Sequence, residues 1–359
     1  MTTTLRAGII GAGSIAQAAH IAAFRSVPDV ELVALCDINK ERVAKVAQEH
    51  QIPHTYSDYH RMLKKEGLDL VVVCVPNALH ARMTIAALQA GANVLCEKPM
   101  ALTYRDACAM IQASHEAGRS LTIGFCLRHS PDTLAAKQKI LSGALGQIYY
   151  CKASYLRRSG IPGYGSWFTN KDLAGGGAMM DIGCHVTDLS LYLLGHPKPV
   201  AVSACTYANF GPRAIGLGGW GADHATPPAR CDVDDLATAF VRFENGLTMT
   251  VEASWAGHGT DGNRIQLFGT EGGLELNAKL FGAEKPLHFF SARGEELLEE
   301  PVELPPSKGS IYDLQAQAWV AAIRAGTPPA VLPEQAAMVA QIIEALYKSA
   351  SSGKEVTIR

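Results

Sequence analysis

The first 124 residues repeat one pattern, a short run that is apolar from end to end followed by an amphipathic segment. The runs are "LRAGIIG", "VELVALCD", "LDLVVVCVP", "ANVLCE" and "SLTIGF". Between them lie the helix signals "SIAQAAHIAAF", "KERVAKVAQEH", "HARMTIAALQAG" and "YRDACAMIQASHEAG". A strand without a polar face is buried on both faces, and such strands alternating with helices build βαβ units. Residues 1–124 are therefore expected to form a doubly wound, parallel Rossmann sheet of the nucleotide-binding kind.

After Gly124 the pattern changes. A helix over Asp132 to Ser142 leads to the strand "QIYYCKASYL", a loop rich in Gly, Tyr and Trp, and a second helix, "GAMMDIGCHVTDLSLYLL". "AVSACTY", "LATAFVRFENG", "LTMTVEASW", "RIQLFG" and "GLELN" then follow one another with turns as short as "ENG" and "TEGG". Strands joined so tightly pair antiparallel. Residues 125–359 are expected to be a second α/β domain with a mostly antiparallel sheet. Residues 207–231 interrupt it as a Gly/Pro/Ala-rich insertion, a length of loop that is usually functional or disordered. Two helical runs, about 310–325 and 333–351, and a final "EVTIR" close the chain.

Composition narrows the partners. A chain of 359 residues exceeds one ordinary core, so two domains are expected. A net charge of -2 offers no basic field for nucleic acid or an anionic membrane. No stretch approaches the ~20 apolar residues that span a bilayer, and "MTTTLRAGIIGAGS" lacks the layout of a secretory leader. Nine cysteines, an odd count without a C-x-x-C pair, lie mostly in apolar runs (Cys36, Cys74, Cys96, Cys151, Cys205). Buried free thiols and a cytoplasmic location are expected.

"GAGSIA" places Gly11, Gly13 and Ala16 in a G-x-G-x-x-A turn between a strand and a helix, with Ala12, Ser14 and Ile15 in the same turn. Gly11 permits the tight turn, Gly13 lets the backbone approach a pyrophosphate, and Ala16 allows close helix packing. The second strand ends at Asp37, where an acid bonds a ribose 2′-hydroxyl and repels a 2′-phosphate; NAD is expected over NADP, although Arg42 is near enough to tolerate a phosphate. Asp37 also fits as the N-cap of "INKERVAKV". Val75, Pro76, Asn77 and His80 of "VPNALH" follow another strand end and belong beside the nicotinamide half, Asn77 fitting equally as a helix cap.

"VLCEKPMAL" carries Glu97 and Lys98 off a fourth strand at the same carboxyl edge, which places both beside the ligand crevice. A lysine there can steady a developing alkoxide; a solvated, snorkelling lysine is the other reading. Asp181 and His185 of "AGGGAMMDIGCHVTDL" stand four residues apart, on one helix face. An imidazole suits proton acceptance near neutral pH, and a carboxylate beside it orients the ring and stabilises its charged form. Alternatively, Asp181 and Asp188 complement the helix dipole and His185 is a core histidine. The other ligand candidates, Cys184 and Asp188, lie elsewhere around the helix, so no metal is expected. Tyr164, Trp167 and Trp220 are candidates for an aromatic platform under the apolar face of a ligand.

"GIIGAGSIA", "VCVPNALH", "CEKPMAL" and "AGGGAMMDIGCHVTDLSLYLLG", in that order, resemble the glucose-fructose oxidoreductase, inositol dehydrogenase and rhizopine catabolism (Gfo/Idh/MocA) family over nearly the whole chain. The resemblance implies a Rossmann domain, a C-terminal α/β domain whose open sheet makes homodimers or homotetramers, a nicotinamide cofactor, and oxidation or reduction of a sugar or polyol carbon. It makes Lys98 the catalytic lysine, with Pro99 after a cis bond, and Asp181 and His185 the substrate-side pair. "GFCLRHSP" points to Arg128 near substrate or nicotinamide, "GSWF" to Trp167 near the nicotinamide, and Tyr155 and Tyr164 complete the substrate side. The insertion around Trp220 departs from simpler members. "GHPKPVAVSACTY" and "DVDDLATAFVRFENG" resemble the branch that oxidises glucosides at C3. Two alternatives use the same residues: an NAD-dependent glycosidase acting by transient 3-oxidation and elimination, and a non-catalytic NAD- and sugar-sensing regulator.

Overall fold

Each apolar run of the first third is a strand of one parallel sheet in the computed structural model, which describes residues 3–222, 230–277 and 287–358. The chain passes through β1 (Leu5–Ile10), α1 (Ile21–Ser26), β2 (Val30–Cys36), α2 (Lys40–Glu49), β3 (His54–Tyr56) and α3 (Tyr59–Glu66). It continues through β4 (Leu70–Val73), α4 (His80–Gln89), β5 (Asn93–Cys96), α5 (Tyr104–Ala117) and β6 (Leu121–Ile123). The strand order is β3-β2-β1-β4-β5-β6, which reverses between β1 and β4 and so creates a crevice at the carboxyl ends of those two strands. β4 and β5 are buried along their whole length, as apolar strands covered on both faces must be.

β3 and α3 lie outside the apolar pattern because β3 is only three residues long and largely exposed at the sheet edge. Glu66 at the end of α3 ties that edge down, accepting from His54 Nδ1 at 2.8 Å and from Arg6 Nη2 at 3.0 Å, with the Tyr56 hydroxyl on the same carboxylate.

The chain forms two compact units, Met1–Cys126 with Gly309–Ala337, and Leu127–Lys308 with Met338–Arg359. The second contains α6 (Pro131–Leu141), β7 (Ile148–Leu156), α7 (Lys171–Ala174), a π-helical turn (Met179–Gly183) that runs into α8 (Cys184–Leu194), and β8 (Pro199–Tyr207). Next come β9 (Leu236–Phe243), β10 (Thr248–Ser254), β11 (Gly262–Gly269), β12 (Gly273–Asn277), β13 (Leu287–Arg293) and β14 (Glu296–Val302). After α9 (Ile311–Ala325) and α10 (Pro333–Ser352) the chain ends with β15 (Val356–Thr357), giving a nine-stranded sheet ordered β14-β13-β12-β11-β7-β10-β9-β8-β15. Among the described strands of this sheet only the β10–β7 pair is parallel, so the sheet is mixed and mostly antiparallel. α8 is buried on almost every side, as expected of a helix apolar all round.

α9 belongs to the first unit: the Trp319 ring meets Phe24 of α1 edge-on at 6.0 Å, and its indole N–H donates to Ser120 Oγ at 3.2 Å. A capping box between Ser310 and Asp313 starts this helix. All nine cysteines are free. Cys36, Cys74, Cys96 and Cys151 are buried, but Cys205 is exposed, in the half of β8 from Ser203 on that is buried on neither face and lies beyond the residues paired with β15.

Candidate active site

The glycine turn after β1 is built so tightly that only glycine fits its first position. Gly11 has φ +101°, its N–H donates to Cys36 O at 2.7 Å, and a Cβ there would lie 2.0 Å from Cys74 O. Ala12 and Ala16 are buried, Gly13, Ser14 and Ile15 are half-buried, and a π-helical turn, Ala16–His20, leads into α1. Asp37 closes the turn from β2: Oδ2 accepts from Ala12 N at 2.9 Å, Oδ1 accepts from Asn39 N at 2.8 Å, and Arg42 Nη1 lies 3.7 Å from Oδ2. The cap of α2 is Asn39, which accepts from Arg42 N at 2.9 Å, so capping is not what Asp37 does. A turn with no space for a side chain and a carboxylate set against it fit a dinucleotide's pyrophosphate and ribose.

The next two strand ends are tied to each other. His80 is buried, with Nδ1 2.7 Å from Pro99 O and Nε2 2.9 Å from Val75 O, so one ring spans the ends of β4 and β5. Burial pushes its pKa down, against the two carbonyls and the Glu97 carboxylate. Asn77 is buried in a 3₁₀ turn and does not cap α4; the residue at that cap is Leu79, whose side chain makes no capping bond. Glu97 is buried too, accepting from His20 Nε2 at 2.7 Å and from Lys98 N at 3.0 Å. Gly124 supplies the room, since a Cβ there would lie 3.1 Å from Glu97 Oε1. Lys98 is half-buried, follows this pair and precedes a cis bond to Pro99.

In the second unit the glycines before Asp181 answer to residues far along the chain. Asp234 accepts from Gly177 N at 2.7 Å and Met179 N at 3.3 Å, which puts a carboxylate at the start of the π-helical turn. A Cβ on Gly177 would lie 1.7 Å from Asp234 O, and one on Gly176 2.1 Å from the Tyr347 hydroxyl oxygen, which itself donates to Asp234 Oδ1 at 2.8 Å. Gly183 lets the turn sit on β10, its Cβ position being 3.1 Å from Ala253 Cβ. Two residues further on, Trp255, wholly buried, donates its indole N–H to Asp181 Oδ2 at 2.9 Å.

His185 is buried one turn below Asp181. Arg157 stacks over the Tyr155 ring at 5.0 Å and donates to its hydroxyl at 3.3 Å. Burial works against the Arg157 charge, but Tyr155, Asp181 and Asp261 around it hold its pKa above the ordinary value. Arg128 and Asp188 form a buried bidentate pair, with Nε to Oδ2 at 2.9 Å and Nη2 to Oδ1 at 2.6 Å. Burial pushes the Asp188 carboxyl up even so. Arg128 is thus committed to an internal carboxylate, and Asp188 is an ion-pair partner rather than a dipole-complementing acid.

The aromatic loop is braced by the insertion. Tyr164 and Trp167 are half-buried, Trp167 stacking on Phe168 with centroids 3.9 Å apart. Gly160 N and Ile161 N both donate to Gly216 O at 2.9 Å, and Gly163 N donates to Trp220 O at 2.7 Å. Trp220 leaves 40% of its surface exposed. Residues 223–229 of the insertion lie outside the described residues. The residues that sequence reasoning missed are Trp255, Arg157, Asp234, Tyr347 and His20; the acids of "CDVDDL" and the tryptophan of "ASWAG" were the available signals. Among the described residues no cluster of His, Cys, Asp and Glu is arranged to hold a metal ion, and no helix is long and apolar enough to cross a membrane.

A parallel sheet with this glycine turn and a mixed-sheet second unit define a nicotinamide-dependent oxidoreductase with an NAD-binding Rossmann domain. Residues 5–125 match the profile described as oxidoreductase family, NAD-binding Rossmann fold, and residues 133–275 that of the GFO/IDH/MocA C-terminal domain. The chain belongs to the Gfo/Idh/MocA family. It is 32% identical over 361 residues to D-glucoside 3-dehydrogenase of Escherichia coli (strain K12), covering 99% of this chain and 98% of that one. It is 32% identical to levoglucosan dehydrogenase of Pseudarthrobacter phenanthrenivorans over 76% of this chain and 73% of that one. A solved levoglucosan dehydrogenase in complex with NADH superposes with a TM-score of 0.86 at 26% identity, covering 99% of both chains.

Proposed function

We propose that this chain is a sugar dehydrogenase that oxidises a hydroxyl-bearing carbon of a glycoside or related polyol, with C3 of a glucoside as the first candidate and NAD rather than NADP as the cofactor. The observation that carries it is the strand-end lysine: Lys98 follows β5 of an NAD-binding sheet, is half-buried, and has its backbone N–H held by the Glu97 carboxylate that also accepts from His20. The likeness to D-glucoside 3-dehydrogenase over nearly the full chain supports the substrate class.

Gly11, Ala12, Gly13, Ser14 and Ile15 hold the pyrophosphate, Asp37 the ribose, and Val75, Pro76, Asn77 and Glu97 the nicotinamide side. The nicotinamide, when bound, supplies the hydride acceptor. His185 takes the hydroxyl proton at a ring nitrogen, Asp181 steadies the imidazolium so formed, and the Lys98 ammonium stabilises negative charge on the substrate oxygen. Tyr155, Tyr164 and Trp167 offer the sugar ring apolar faces. A carboxylate at the end of β2 repels a 2′-phosphate on the ribose assigned to it, and Arg42, 3.7 Å from Asp37, already has a partner in that carboxylate, which favours NAD.

Turnover of glucosides, other sugars and inositols, followed through NADH absorbance with NAD and with NADP, tests the proposal. Lys98→Ala and His185→Ala should each bind NADH normally and lose turnover by at least about a hundredfold, the scale of acid–base catalysis. Near-normal turnover in both variants rejects it. An aryl glycoside separates the glycosidase alternative, which releases phenol without accumulating NADH.

A further inference from the structure

Asp181 has a partner that no motif announces. Trp255 is fully buried, and an indole N–H donates and never accepts. A buried donor needs an acceptor, and the one it has is Asp181 Oδ2 at 2.9 Å. The contact is held from both sides. Trp255 N donates to Asp235 O at 2.8 Å, and Gly183 lets the turn carrying Asp181 approach Ala253, two residues before Trp255. Arg157 carries its charge beside the same carboxylate. A donor fixed in the core and a cation beside it leave a carboxylate little freedom to rotate.

We propose that Trp255 is a positioning residue for the proton-handling pair: its indole N–H pins Oδ2 of Asp181, so that the carboxylate one helical turn from His185 is held in one orientation. This role rests on the assignment of Asp181 and His185 proposed above. Trp255 touches neither substrate nor cofactor in it, and acts only through Asp181.

The test is a double-mutant cycle on the full-length protein with NAD and the sugar that the panel identifies. Trp255→Phe keeps an aromatic ring and deletes the N–H; kcat should fall about tenfold, the scale of one hydrogen bond to an ionised group. KM for NAD should not move. In an Asp181→Ala background the same substitution should change kcat less than about twofold, because the group through which it acts is gone. Trp255→His, which keeps a ring N–H in a smaller side chain, should recover part of the lost kcat, and it carries the test if the phenylalanine variant folds poorly. Equal kcat losses in the two backgrounds, or no loss in the first, overturn the positioning role alone. An Asp181→Ala variant with wild-type kcat overturns the underlying assignment as well.

Discussion

Tyr347→Phe removes one oxygen atom and should loosen the helix start on which Asp181 stands. The hydroxyl donates to Asp234 Oδ1 at 2.8 Å, the oxygen that also accepts from Gly177 N at 2.7 Å, while Oδ2 takes Met179 N at 3.3 Å. Asp234 is buried, so a lost donor is not replaced by bulk water. A hydrogen bond to a charged group contributes about 1.5–3 kcal/mol. For a unit of this size each kcal/mol moves the melting temperature by about 2–4 °C, so a loss near 2 kcal/mol lowers it by about 4–8 °C.

The pH dependence of that loss identifies its cause. Burial holds the Asp234 carboxyl above its ordinary range, and Gly177, Tyr347 and Met179 pull it back down. A carboxyl whose folded pKa is raised favours the folded state when protonated, and that contribution is lost as pH rises through the folded pKa. Deleting a donor raises the pKa further, so the gap between wild type and variant is widest where Asp234 is ionised and narrows in acid, where both carboxyls are protonated. Calorimetric melting from about pH 8 down to about pH 4 spans the ordinary carboxyl range and reads this directly. A neutral-pH melting temperature within about 1 °C of wild type, or a gap that widens in acid, refutes the assignment of Asp234 as an ionised anchor for this helix.

Gly11→Ala should abolish NADH binding by nicotinamide fluorescence titration, because its methyl would sit 2.0 Å from a backbone carbonyl oxygen at φ +101°. Gly118→Ala, at φ +59° with open space around it, should lose only about 1 kcal/mol of stability and bind NADH normally. In the second unit, burial and the nearby Arg128 charge push His129 down to about 4, and burial with Arg128 and Lys137 does the same to His196. Both rings stay neutral in the folded state while the unfolded chain protonates near pH 6.5. Stability should therefore fall as pH drops from about 6.5 to about 4, read as a falling urea midpoint, and His129→Gln with His196→Gln should flatten that slope.

What the sequence displays and what it conceals differ by the distance over which each residue finds its partner. The parallel sheet was legible because β4 and β5 are buried on both faces and their apolar runs say so locally. The glycine turn was legible because the strand before it and the helix after it are its immediate neighbours. β3 was not, being short and exposed, nor was the packing of α9 against α1, which joins residues roughly 300 positions apart. Asp181 and His185 stood out at helical spacing, whereas the indole on Asp181 lies 74 residues further on and the carboxylate at the helix start lies 57 residues beyond Gly177. Neither is tied by local spacing to the residue it serves.

The run Gly175–Gly177 shows why such partners must be read jointly. Taken alone it is a flexible lead-in to a helix, and "VDD" is an acidic turn before a strand. Together they are one joint: the first acid of that pair, Asp234, reaches the backbone of the glycines only because Gly176 and Gly177 carry no Cβ to meet Tyr347 and Asp234. A side chain at Gly177 and a neutral residue at Asp234 would therefore fail for the same reason. Each removes the anion from the N-terminus of the helix that presents Asp181 and His185, and with it the fixed starting point of the proposed proton path.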